Sequence, residues 1–311
     1  MSSEQGDDRR DRVEQAAPGI QRVKTRDATL GEGMMIRRAL PTVHRRMIGA
    51  WCFLDHFGPV DVREGRGMRV GPHPHIGLQT FTWPVQGEIV HRDSLGYVQP
   101  IKPGQVNLMT AGRGIVHSEE SPTPRPSQLH GAQLWIALPD AQRSIEPAFD
   151  HYPAVPVIDD GQARVTVLAG EALGERSPVR VYSPLVALEL VTEGEARIEL
   201  PLRAGFEYGA IALAGAASLA DQPLAPGSLL YFGVGRERLT IVSDAGARIL
   251  LLGGAPFGEE VLLWWNFVAR TRAEIERAHA TWAADGFGDV RGYDGERLRA
   301  PALPWATQPA S

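Results

Sequence analysis

Cysteine is nearly absent: Cys52 is the single one in 311 residues, so the chain cannot close an internal disulfide. Long apolar runs are missing too. The most apolar stretches, ARILLLGGAPF at 247–257 and VLLWWNFVA at 261–269, are too short to span a bilayer and are broken by Gly, Pro or polar residues, which excludes a membrane-crossing segment. Basic excess is likewise lacking. With 32 Lys and Arg against 37 Asp and Glu, the net charge of -5 gives no electrostatic footprint for nucleic acid. The start, MSSEQGDDRRDRVEQ, carries neither a charged n-region followed by an apolar core nor a lipidation signal, and a cytoplasmic protein is expected.

Sustained helical periodicity is also scarce. From Val23 to Leu138, short apolar runs alternate with Gly, Pro, Asn and Asp, the signature of β-structure. Residues 1–15 are polar and charged and read as a disordered tail. A first β-domain is expected over 16–140. Residues 141–157 hold Pro147, Pro153 and Pro156 and read as a linker, and a second β-domain is expected over 158–311. In VALELV, Val186, Leu188 and Leu190 alternate with Ala187 and Glu189, as in a sheet with one face in a core. One helix signal appears late. Thr271 and Glu274 form a capping box, Ile275, Ala278 and Trp282 follow at helical spacing, and Gly286 supplies a stop, which predicts a helix at about 272–285 packed on the second sheet.

The two halves resemble each other. PGQVNLMTAGR at 103–113 aligns with PGSLLYFGVGR at 226–236, an offset of 123, and QGE at 86–88 matches EGE at 193–195, an offset of 107. A duplicated all-β unit is the expected architecture.

The chemistry lies in the first half. GPHPHIGLQT at 71–80 places His73 and His75 two residues apart, so in a strand both imidazoles project to one face. TAGRGIVHSEE at 110–120 places His117 and Glu119 in the same relation. An isolated pair of this kind is common surface polarity. Two pairs in one β-unit amount to three imidazoles and a carboxylate, a donor set for one divalent transition metal: iron, manganese, nickel, copper or zinc, with iron favoured. His91 and Asp93 in HRDSLG are candidates either for supporting the ligands from behind or for acid/base work. The second half lacks such a set: at the 123 offset His117 and Glu119 map to Thr240 and Val242, and at the 107 offset His73 and His75 map to Arg180 and Tyr182. TAGRGI lacks the lysine of a phosphate loop and reads as turn geometry. Cys52, flanked by Trp51 and Phe53, and His56 both read as structural.

In order and spacing, IRRALPTVHRRMIGAWCFLDHFGP, HPHIGLQT, HRDSLG and MTAGRGIVHSEE resemble the pirin family of the cupin superfamily, over roughly residues 20–285. That resemblance implies two cupin-type β-barrels (a bicupin), with one metal, commonly iron, in the N-terminal barrel. It also implies that His73, His75, His117 and Glu119 are the four ligands. Many pirins have Arg, Phe and Glu where this chain has Ile76, Leu78 and Gln79; Gln79 stands where many other cupins place a ligating carboxylate, and the resemblance makes it a candidate for supporting the ligands from behind. Two activities follow from the resemblance. One is a dioxygenase of quercetinase type acting on a flavonol-like aromatic substrate with O2, in which Glu119 is both ligand and proton acceptor. The other is a redox-sensing metalloprotein that regulates a protein partner, with Arg63, Arg66 and Arg69 as a surface patch.

Overall fold

A computed structural model describes residues 13–17, 19–65 and 67–305. The chain forms two compact units. One comprises residues up to 28, 37–56 and 155–257, and the other comprises 29–36, 57–154 and 258 onward. Both are built almost entirely of antiparallel strands.

The second of these units carries the histidine pairs. Its four-stranded sheet runs in the order Arg69–His75, Ile115–Glu120, Ile89–Asp93, Val98–Ile101. A seven-stranded sheet contributes the strands Ala148–Tyr152, Val106–Thr110, Leu78–Gln86 and Gln128–Ala137, in that order. The hairpin Leu262–Trp264/Phe267–Ala269 and the helix α1, Arg272–Ala283, complete it. The other unit has an eight-stranded and a four-stranded sheet around a core that includes Val167, Leu188, Leu230, Ile241 and Leu251. The alternation in VALELV is real, although even Glu189 is buried there, where Arg248 pairs with it at 2.8 Å. Among the described residues the sheets of neither unit join into a closed barrel; in each unit they are cupin-like sheets facing a core of their own.

Four expectations need correction. The tail expected over 1–15 lies outside the described residues up to position 12, but 13–15 belong to a strand, Val13–Ala17, paired with Ile20–Lys24. The linker expected over 141–157 contains the strand Ala148–Tyr152, which pairs with Val106–Thr110 because Ala148 to Tyr152 offers an uninterrupted backbone between its prolines. Helix α1 packs not on the second sheet but on Val116 of the His117 strand, with Phe267, Ala269, Ile275, Ala278 and Trp282 in one cluster. Its apolar face was legible, but nothing local says which sheet receives it. The 107 offset also fails. The strand register sets Thr240 opposite Glu199 as His117 is set opposite His73, so the counterparts of His73 and His75 are Glu199 and Pro201, not Arg180 and Tyr182. The 123 offset survives: Ile115–Glu120 maps onto the strand Arg238–Ser243, and both Pro-Gly turns use a left-handed glycine, Gly104 and Gly227.

The ends of α1 follow the sequence signals with two shifts. Thr271 Oγ1 accepts from Glu274 N, while the Glu274 carboxylate reaches back past the cap to Arg270 N at 2.9 Å. At the other end Asp285, not Gly286, takes the left-handed conformation (φ +56°), and Gly286 N closes the turn on Thr281 O at 2.8 Å. Replacing Thr271 with alanine is expected to cost about 1 kcal/mol, readable as a lower urea midpoint at unchanged slope; an unchanged midpoint would show that the cap is idle.

Candidate metal centre

His73 and His75 stand on the edge strand Arg69–His75, which among the described residues pairs only with the His117 strand. An edge position is what Pro72 and Pro74 require, since neither can donate to a second neighbour. Two residues of this strand, Gly71 and Pro72, face one of its partner, Ser118, between the pairs His117↔His73 and Glu119↔Val70, so a bulge lies at Gly71–Pro72. The outer edge is covered: Leu298 N donates to Pro72 O at 2.9 Å, and a Cβ on Gly71 would lie 2.3 Å from Glu296 O. After His75 the chain must turn at once into Leu78–Gln86. Gly77 makes that turn at φ +70°, where a side chain would collide with Val268 O.

Alternation then gathers the imidazoles. His117 sits opposite His73 on one side and opposite Asp93 on the other, and Glu119 opposite His91, so all five face the same way. The donor atoms of His73, His75 and His117 all lie within 4.8 Å of one another, and His75 Nε2 and His117 Nε2 are 3.1 Å apart. All three rings are buried. Burial pushes the His73 pKa down to about 4, with the Gly71 carbonyl opposing, and burial together with neighbouring rings holds His75 and His117 well below the ordinary value. The rings are therefore neutral near pH 7, which is the ligating form.

The remaining ring nitrogens are engaged, which fixes the rings in place. His73 Nδ1 meets Gly71 O at 2.8 Å, and His75 Nδ1 meets Asn266 O at 3.1 Å from the hairpin loop. His117 Nδ1 meets His91 Nδ1 at 3.3 Å, and His91 Nε2 in turn meets Asp93 Oδ2 at 2.9 Å. Asp93 is anchored by the N–H groups of Leu95 and Tyr97, and Phe149 stacks on His91 with ring centres 4.3 Å apart. Three ring nitrogens gathered within 4.8 Å, with their opposite nitrogens engaged behind, fit a transition metal.

Glu119 stands outside the cluster of three donor atoms but on the same face, bonded to Thr82 of the facing sheet. Burial raises its pKa to about 7. Gln79 donates to Thr110 Oγ1 at 2.9 Å, and alternation along its strand turns it to the face opposite Thr80 and Thr82. Of the arginine patch, Arg66 lies outside the described residues. Arg63 pairs with Asp61, and Arg69 is drawn to Glu32, Glu120 and Tyr293. Cys52 and His56 are buried, as structural residues are. Sequence reasoning missed Asn266, Thr82, Phe149 and Trp135, whose ring stands edge-on to His75 at 5.0 Å. Asn266 acts through its backbone carbonyl, 191 residues away in sequence, and no residue-type signal reveals that.

Among the described residues the histidine cluster is the one metal-type group, confined to one of two cupin-like units. The class is thus a bicupin with a single metal-type centre. The pirin family model matches residues 33–136 and the model of the pirin C-terminal cupin domain matches 187–288, and the chain belongs to the pirin family. It is 51% identical over 288 residues, 92% of this chain and 91% of the other, to a Pseudomonas aeruginosa protein provisionally named a quercetin 2,3-dioxygenase. A Caulobacter vibrioides pirin-like protein is 40% identical over 80% of this chain and 88% of its own. The crystal structure of a quercetin 2,3-dioxygenase from Acinetobacter baumannii superposes with a TM-score of 0.91 at 47% identity, covering 94% of this chain and 98% of that one. No helix among the described residues is long and apolar enough to cross a membrane.

Proposed function

We propose that this pirin is a cytoplasmic, iron-dependent dioxygenase of quercetinase type that opens a flavonol-like aromatic substrate with O2. The observation that carries it is the buried cluster of three neutral imidazoles with a buried carboxylate on the same face. Likeness to the Pseudomonas and Acinetobacter proteins of that name supports the substrate class.

In this reading His73, His75 and His117 hold the metal, with Glu119 as the fourth ligand. When bound, the metal supplies Lewis-acid and redox chemistry toward a flavonolate and dioxygen. The chain does the rest. Glu119, with a pKa raised by burial to about 7, is matched to accept the proton of the flavonol 3-hydroxyl on a carboxylate oxygen. Thr82 steers that carboxylate. Trp135 and Phe149 back His75 and His91 and keep water from the rings. Asp93 and His91 hold His117 in the tautomer that leaves Nε2 free.

The test is loss of quercetin in air-saturated buffer by iron-reconstituted protein, run beside Glu119→Gln. Wild type is expected to consume the flavonol, and the variant to do so about 100-fold more slowly. Iron-loaded wild type that leaves quercetin intact overturns the reading. The support from behind gives a separate expectation: Asp93→Asn lowers metal affinity about 10- to 100-fold, read by chelator competition, and unchanged affinity would mean that the Asp93–His91 pair plays no part.

A further inference from the structure

A cavity lies beside the metal centre, lined by none of its histidines nor by Glu119. A cleft of about 420 Å³ opens between helix α1 and the turns that flank the ligand strands. Ile76, Val268 and Phe287 form its apolar wall, and Arg113, Arg143 and Arg277 carry three guanidinium groups into its lining against one carboxylate, Glu274. That carboxylate is occupied, accepting from Arg143 Nη1 at 2.8 Å and from Arg270 N at 2.9 Å. Arg143 also gives Nε to Asp140, which leaves the Nη2 end of its fork. Arg113 pairs with Glu146 in an exposed contact of the kind worth little. Arg277 is exposed and has no ion-pair partner among the described residues. The cleft therefore sets one guanidinium without an ion-pair partner, Arg277, and the unused Nη2 of Arg143 beside an apolar face, in a volume proper to a small ligand.

The walls are closely packed. Gly114 lies against the Phe287 ring so closely that a Cβ there would come 2.2 Å from it, and Gly112 is packed equally hard on Ile145 O. Val268 N donates to Ile76 O at 3.1 Å, while two residues earlier Asn266 O holds the ring of His75.

We propose that this cleft is a binding site for a small aromatic monocarboxylate, its ring against Phe287 and Ile76 and its carboxylate on Arg277 and the free end of Arg143. A planar guanidinium fork matches a carboxylate in two parallel bonds, and the wall opposite accepts a ring but offers nothing to a compact, strongly hydrated anion. The assignment does not depend on flavonol cleavage or on which metal is held.

The probe is benzoate, followed by ligand-observed NMR titration against the full, iron-loaded chain. Because a carboxylate can also bind an open metal, two variants run alongside: His73→Ala, which removes a metal ligand, and Arg113→Glu with Arg277→Glu, both exposed positions. Saturable benzoate binding is expected to persist in His73→Ala and to weaken at least tenfold in the arginine double variant. Benzyl alcohol and inorganic phosphate should each bind at least tenfold more weakly than benzoate. Any of three results would overturn the proposal: no saturable binding to wild type, binding lost in His73→Ala but kept in the double variant, or phosphate binding as tightly as benzoate.

Discussion

Alanine at His117 is expected to abolish metal retention, lowering affinity by well over the roughly 100-fold that loss of a supporting group costs. His117 is the hinge of the centre. Its Nε2 lies 3.1 Å from that of His75, its ring centre 4.4 Å from that of His73, and its Nδ1 reaches the His91–Asp93 pair. Truncation removes a donor together with the one ring that the His91–Asp93 pair positions, while His73 and His75, held by Gly71 O and Asn266 O, are left as two donors. The measurement is metal per chain after dialysis of iron-reconstituted protein. Wild type should retain about one equivalent and the variant essentially none. A variant that kept full occupancy would show that the metal sits elsewhere.

The second large effect concerns acid. His73, His75, His117 and His91 all have pKa values lowered by burial, that of His73 to about 4. In the unfolded chain each titrates near 6.5, so below that pH the unfolded state binds protons that the folded, metal-free state refuses. Stability contributed by these neutral rings is whole above about pH 6.5 and drains away as pH falls toward about 4. The slope approaches about 1.4 kcal/mol per pH unit for each group. Glu119 works the other way. Its raised pKa, about 7, costs stability above its ordinary value and returns it on acidification, but one carboxyl offsets only one ring of four. The Tm of metal-free protein should therefore drop steeply between pH 7 and pH 5, and His117→Ala should flatten that dependence. A metal-free wild type whose Tm is level across this range contradicts the picture of buried neutral rings.

Much of the centre was legible because strand alternation is a short-range rule. His73 with His75, and His117 with Glu119, declare a shared face by spacing alone, and HRDSLG declares His91 with Asp93 in the same way. What the spacing could not give was which strands meet. That depends on the register in which Ile115–Glu120 lies between Arg69–His75 and Ile89–Asp93, a tertiary choice. Gln79 illustrates the limit from the other side: its place in the motif suggested a role beside the metal, yet one residue of parity turns it from Thr82 toward Thr110. Helix α1 was readable to within a residue or two from Thr271 and Trp282, since caps and helical spacing are local. Its docking against Val116 was not, because an apolar stripe fits any apolar face. The same holds for Asn266, whose contribution to His75 is a backbone carbonyl that every residue type possesses.

Oxygen uptake by anaerobically iron-reconstituted protein on addition of quercetin, with His73→Ala run in parallel, tests the central claim most directly. The account predicts uptake that requires quercetin and vanishes in the variant. Iron-loaded wild type that consumes no oxygen, or a His73→Ala variant that consumes it at the wild-type rate, would contradict it.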